Sequence, residues 1–328
     1  MRRLIVLLGL VGCASPDTDR RGEPWTERTA LPDRRLEASA TGVGARLVVI
    51  GGFVNESLEI SRDVLQYDPF RDEWSVHPLQ APEAFTHAAL TSVGGSLYLL
   101  GGLEGSAFTP SGKSWRLRPN ATTWEALADM PIGHERGAAA VVVSTGHIFL
   151  LGGEIAGGFT DTILDYEISS NTWSVHPMKL TTARSHAAAM REDDGTFIIA
   201  GGNGIQGPLG DTFALRLDGM VELRAPMNIA RGGCAYGVIF GQLVCAGGEI
   251  GTAVSRVVEV YDPTDDEWTV PTIGGRWLAA IAEMPLERAG AAGAIVTSRL
   301  YVVGGSQTNA LTPTNTLYEF DLLDTLPR

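Results

Sequence analysis

The chain has 328 residues, 44% of them hydrophobic and 19% charged, with 40 glycines, three cysteines and a formal net charge of −13. An acidic chain with no basic run lacks the electrostatic footprint of a nucleic-acid binder, and three cysteines cannot build a disulfide scaffold or a four-thiolate zinc site. Its apolar content is enough to bury a core rather than leave the chain disordered.

At the amino terminus, Arg2 and Arg3 precede an apolar run from Leu4 to Val11 that is too short to span a bilayer as a helix, which is the pattern of a secretory signal. The tetrad Leu10-Val11-Gly12-Cys13 resembles the lipobox of bacterial lipoproteins. That resemblance implies a signal peptide over residues 1–12, diacylglycerol on the Cys13 thiol, and a lipidated polar tether over residues 13–24 ahead of a folded unit at 25–328. The expected setting is extracytoplasmic: the bacterial cell envelope, on its periplasmic or cell-surface side, with the protein held to a membrane by its lipid. Disulfides persist in that compartment.

Six glycine pairs punctuate the rest: Gly51-Gly52, Gly101-Gly102, Gly152-Gly153, Gly201-Gly202, Gly247-Gly248 and Gly304-Gly305, at successive spacings of 50, 51, 49, 46 and 57 residues. Each closes a short apolar run such as RLVVI, SLYLL or HIFLL, read as a buried strand. Upstream of each run, across a turn such as Gly94-Gly95, lies a strand of small residues (HAALTSV, GAAAVVV, GAAGAIV); downstream comes a third strand ending near Tyr-Asp, then a Trp opening a fourth. The most similar copies are Tyr67-Asp-Pro-Phe-Arg-Asp-Glu-Trp74 and Tyr261-Asp-Pro-Thr-Asp-Asp-Glu-Trp268. Trp124 and Trp173 take the same place, and Val221 or Leu223 is expected to substitute in the fourth repeat. An arginine stands sixteen or seventeen residues before the pair at Arg35, Arg136, Arg184, Arg231 and Arg288, with Phe85 there in the second repeat.

A period of this length marks stacked structural units. Apolar strand, double Gly, Tyr-Asp, Trp, then Met-Pro and Arg together resemble the kelch repeat over residues 25–328. The resemblance implies an all-β, six-bladed kelch-type β-propeller with four antiparallel strands per blade. Because the last repeat stops at Tyr318-Glu-Phe-Asp321 and the chain opens on a stray Trp25-Thr-Glu-Arg28, residues 25–30 are expected to supply the outer strand of the last blade and close the ring. In the fifth blade the fourth strand opens at either Trp268 or Trp277, with the loop of an insertion at Ile273-Gly274-Gly275.

In such a meander the loops between strands two and three share a face with the loops that lead into the next blade, and loops on a rigid scaffold usually carry function. That face is expected to display Asn55, Glu56, Glu104, Glu154, Asn203, Gln206, Glu249 and Gln307, approached by Arg35, Arg136, Arg184, Arg231 and Arg288. Arginines and glutamates so placed either bind a polar ligand or, as the fixed repeat position of the Arg favours, hold neighbouring backbones. His87 and His186 fall at matched first-strand positions and His134 in a connecting loop. Matched positions in blades two and four should lie about a third of the way round, so the histidines read as packing residues and no metal or cofactor is expected. Cys234 and Cys245 flank the turn at Phe240-Gly241 and are either bridged or two small buried thiols. Gly-x-Ser-x-Gly, His-Glu-x-x-His, Gly-x-x-x-x-Gly-Lys and Cys-x-x-Cys are all missing from the sequence. The leading functional expectation is a monomeric, non-enzymatic platform for a protein or glycan. The alternative implied by the kelch resemblance is a sugar-processing enzyme similar to the sialic-acid mutarotases, using a Glu and an Arg at the channel mouth.

Overall fold

The computed structural model describes residues 24–273, 280–281 and 283–325. The signal segment, Cys13, most of the tether and Trp277 lie outside the described residues.

The described chain is almost wholly β-structure, with one short 3-10 turn at Leu322–Thr325. Six four-stranded antiparallel sheets follow the six glycine pairs in order. The first consists of Ser39–Val43, Arg46–Ile50, Val64–Asp68 and Glu73–Val76, hydrogen-bonded in chain order. The next four repeat this meander over 89–126, 140–179, 188–224 and 235–269. In the sixth, Ala292–Val296, Arg299–Val303 and Leu317–Phe320 are joined by Trp25–Arg28 from the other end of the chain, in the register Trp25↔Phe320 to Arg28↔Leu317.

Each second strand is buried on both faces, because every sheet is covered by a neighbour on either side. Leu47, Val49 and Tyr67 of the first sheet pack with Ala294, Tyr301 and Val303 of the sixth, while Val48, Ile50 and Val64 face Leu90, Leu97 and Leu99 of the second. The first strands of successive sheets lie side by side and line a central cavity of about 370 Å³. Crowding there accounts for their Ala and Gly content: a side chain at Gly293 would collide with the backbone of Tyr236.

The double glycine has a specific cause. The second glycine of each pair donates its N–H, over 2.7–2.9 Å, to the carbonyl at the arginine position of the following repeat, from Gly52 to Phe85 through to Gly305 to Arg35. A Cβ on the first glycine would strike that same carbonyl, and φ at these first positions runs from +60 to +74°.

The Tyr-x₄-Asp-x-Trp signature is a clasp between sheets. Tyr166 donates to Asn171 at 2.8 Å, Asn171 accepts the N–H of Ala128 in the preceding repeat, and the Trp173 indole donates to the Ala128 carbonyl. Tyr67, Asp72, Trp74 and Thr29 repeat the arrangement. In the fifth sheet Trp268 opens the last strand, opposite Tyr261 and 4% exposed, and the following insertion forms a hairpin pairing Thr272–Ile273 with Ala280–Ile281. The fourth sheet differs from expectation. Val221 occupies the Trp register opposite Leu215 but is 42% exposed, and Leu223 is 72% exposed, so neither side chain fills the tryptophan's place.

Candidate functional site

Along each repeat, the residue after the glycine pair bridges back to the segment ahead of the first strand: Leu36 to Phe53, Gly137 to Glu154, Ser185 to Asn203 and Gly232 to Glu249. This pins the start of every second-to-third-strand loop beside the central cavity. The connection into the next repeat runs alongside the same loop, as Met130 N–H to Gly112 and Arg136 N–H to Ser111 show.

The five arginines do not reach that surface. Arg35, Arg136, Arg184, Arg231 and Arg288 are at most 1% exposed, because the loop carbonyls wrap their guanidinium groups. Arg136 donates to the carbonyls of Gly152 and Thr162, Arg184 to Gly201 and the Asp211 carboxylate, and Arg231 to Gly247, Val257 and the buried carboxylate of Glu259. Arg288 bonds Thr316, and Arg35 bonds Ser61. Burial pulls the Arg136 guanidinium down to about 10. Phe85, which replaces the arginine in the second repeat, packs instead on Trp115 at 5.2 Å.

The acidic and amide candidates do lie on these loops. Glu56 and Gln307 are exposed, whereas Glu104, Glu154, Asn203 and Glu249 are half-buried. Asn203 donates to Glu249 at 3.2 Å, and Glu104 lies 4.0 Å from Lys113. None of Glu104, Glu154 and Glu249 pairs with one of the five arginines among the described residues, so a Glu beside an Arg is not assembled at the mouth. Ile132 and Ile205, missed in the sequence, project from the same set of loops at 96% and 95% exposure.

The histidines depart most from expectation. His87 and His186 have ring centroids 5.2 Å apart, because the residue two past the arginine position in every repeat converges on the centre rather than standing out around it. The six equivalents are Glu37, His87, Ala138, His186, Gly233 and Gly290, all with φ between +51 and +63°. Their backbones are linked in succession: His87 N–H to Glu37, Ala138 to His87, His186 to Ala138, Gly233 to His186, and Glu37 to Gly290. Glu37 Oε2 lies 3.3 Å from His87 Nε2 and 3.8 Å from His186 Nε2. Burial alone would raise the Glu37 carboxyl, but both histidines hold it down at about 2. Burial takes His87 down to about 4; for His186 it is outweighed by the hydrogen bond and charge of Glu37 and by Glu249 and Glu154, which raise it. A cavity of about 120 Å³ opens over these groups. Glu37 went unnoticed in the sequence, although it stands at the same offset from Arg35 as His186 does from Arg184.

Cys234 and Cys245 form a disulfide with Cα atoms 5.6 Å apart, tying the residue just ahead of the first strand of the fifth sheet to its second strand beside this cavity.

The family model for the Kelch motif matches residues 230–272. Among curated proteins, the chain is 28% identical to Kelch-like protein terF of Aspergillus terreus over 87% of its own length and 64% of that protein. It is 26% identical to Kelch-like protein 25 of Xenopus tropicalis over 76% of its length and 43% of that protein, and 27% identical to human Kelch-like protein 33 over 60% and 37%. The chain thus spans less than two thirds of the length of these relatives. Together the matches support a kelch-repeat family.

Proposed function

We propose that the chain is a six-bladed kelch β-propeller, closed by Trp25–Arg28, that works as a non-enzymatic docking platform for a partner protein. In this reading Cys13 is lipidated and the propeller sits, as a single copy, on the extracytoplasmic side of a bacterial membrane, with nucleic acid excluded by its net charge of −13. Kelch-repeat proteins commonly serve as interaction platforms, and the six four-stranded sheets, the first packed on the last, support the propeller.

The observation that carries the docking role is the pair Ile132 and Ile205, almost fully exposed on loops that surround an acidic mouth. Covering an isoleucine is worth about 1.5–3 kcal/mol, so a protein partner gains from both while a free sugar does not. The sugar-processing alternative needs an arginine and a glutamate open to a sugar at the mouth, and the arginine heads are buried on backbone carbonyls, on Asp211 and, for Arg231, on the fully buried Glu259.

The test is a photo-crosslinker placed at position 132 or 205 in cells making the full chain, with position 240, on the strand-one-to-two turns, as control. A discrete crosslinked protein from 132 or 205 and none from 240 is the expected result. Specific binding on a glycan array without any crosslinked protein overturns the docking role, as does accelerated sugar anomer exchange that vanishes in Glu154→Ala.

A further inference from the structure

We propose that Glu37, His87 and His186 form a binding site for one divalent transition-metal ion, of the Zn²⁺, Ni²⁺ or Cu²⁺ class, at the loop-bearing end of the central cavity. The donor set is two imidazole nitrogens and one carboxylate oxygen, which suits borderline metals and not Ca²⁺ or Mg²⁺. One donor atom from each residue lies within 4.8 Å of the others. With metal–ligand bonds of about 2.0–2.1 Å, a tetrahedral site has donors about 3.3–3.4 Å apart. The separations from Glu37 Oε2 to the two Nε2 atoms, 3.3 and 3.8 Å, are already near that edge, and side-chain rotation closes the remainder.

The surroundings are those of a supported site. His186 Nδ1 is 2.9 Å from Ser185 Oγ, a partner that orients the imidazole and leaves Nε2 for the ion. His87 Nδ1 is buried with no hydrogen-bond partner, so neither of its nitrogens is tied to the backbone. Side-chain exposures of 8% for His87, 16% for Glu37 and 18% for His186 keep the group shielded yet reachable through the cavity above it. The charges of Glu154 and Glu249 act on His186 and add to the attraction for a cation.

All three residues hold positive φ, which costs an L-residue about 1–2 kcal/mol. Ala138 bears that cost without offering a donor, so strain by itself argues nothing. What distinguishes the three is that their side chains meet, with His87 hydrogen-bonded to the Glu37 backbone and His186 linked to His87 through Ala138. Three protein ligands leave a fourth position for water or for a side chain of whatever occupies the mouth.

The experiment uses the full chain after chelator treatment, titrated with ZnCl₂ by calorimetry and separately with Co²⁺ by visible absorption. One equivalent of Zn²⁺ and Co²⁺ d–d bands are expected. His87→Asn and His186→Asn each lower the affinity at least tenfold, asparagine being chosen because it tolerates positive φ; His134→Asn leaves it unchanged. Circular dichroism melts matching the parent establish that the variants are folded. Zinc binding of the same strength in folded His87→Asn/His186→Asn, or no binding by the parent, overturns the proposal. The outcome is independent of whether a protein docks on the face.

Discussion

At the scale of single residues, the recurring arginines and glycines are two halves of one joint. The Arg231 guanidinium satisfies the Gly247 and Val257 carbonyls and neutralises Glu259, a carboxylate with no exposure. Arg231→Met is expected to cost about 3–5 kcal/mol in urea denaturation because it strands that charge, and adding Glu259→Leu should restore most of the loss. Gly152→Ala should cost more than about 2 kcal/mol, since its Cβ meets the Arg184 carbonyl at φ +65°. Gly94→Ala, at φ +57° with open space around it, should cost only about 1–2 kcal/mol. The recurrence of both residue types was legible in the sequence. Their partnership was not, because the carbonyl that demands each glycine belongs to a residue about thirty to forty positions further along or, for Gly304, to Arg35 near the start of the chain.

At the scale of elements, Trp25–Arg28 is the piece with the largest leverage, since it completes a sheet whose other strands end some 290 residues later. Removing residues 25–31 exposes the edge of Leu317–Phe320 and the aromatic faces of Tyr318 and Phe320 against which Trp25 packs. A sharply lower melting temperature is expected, and an unchanged melting curve would contradict the role of this strand. The Cys234–Cys245 bridge closes a short loop, so Cys234→Ala/Cys245→Ala should lose about 2–3 kcal/mol; mass spectrometry without reduction should find the bond in the parent. The pairing of the first strand was readable as an unmatched Trp-Thr-Glu-Arg against a truncated last repeat. The disulfide was left open because nearby positions around a strand turn admit both a bridge and two thiols, and the register that sets Cys245 opposite Tyr236, with Cys234 just ahead of the strand, came only with the structure. Val221 shows the converse: its register followed from the repeat, yet it is 42% exposed, so the register alone did not fix its burial.

At the scale of the molecule, the proposed membrane attachment would rest on Cys13 alone. Cys13→Ser should move the protein from the membrane pellet to the soluble fraction on centrifugation, while leaving its melting temperature unaltered. The loop-bearing face then presents two exposed isoleucines around an acidic centre, and the centre holds the Glu37, His87 and His186 cluster. By itself the sequence determined the six-fold recurrence, the strand order within each repeat and the recurrence of the buried positions, because each is a local pattern of glycine, alternation and aromatic spacing. Only the tertiary structure decided that the arginines turn inward and that two histidines 99 residues apart face one carboxylate. Repetition marks which residues are equivalent, whereas the distance between equivalents depends on how near the centre the backbone carries them.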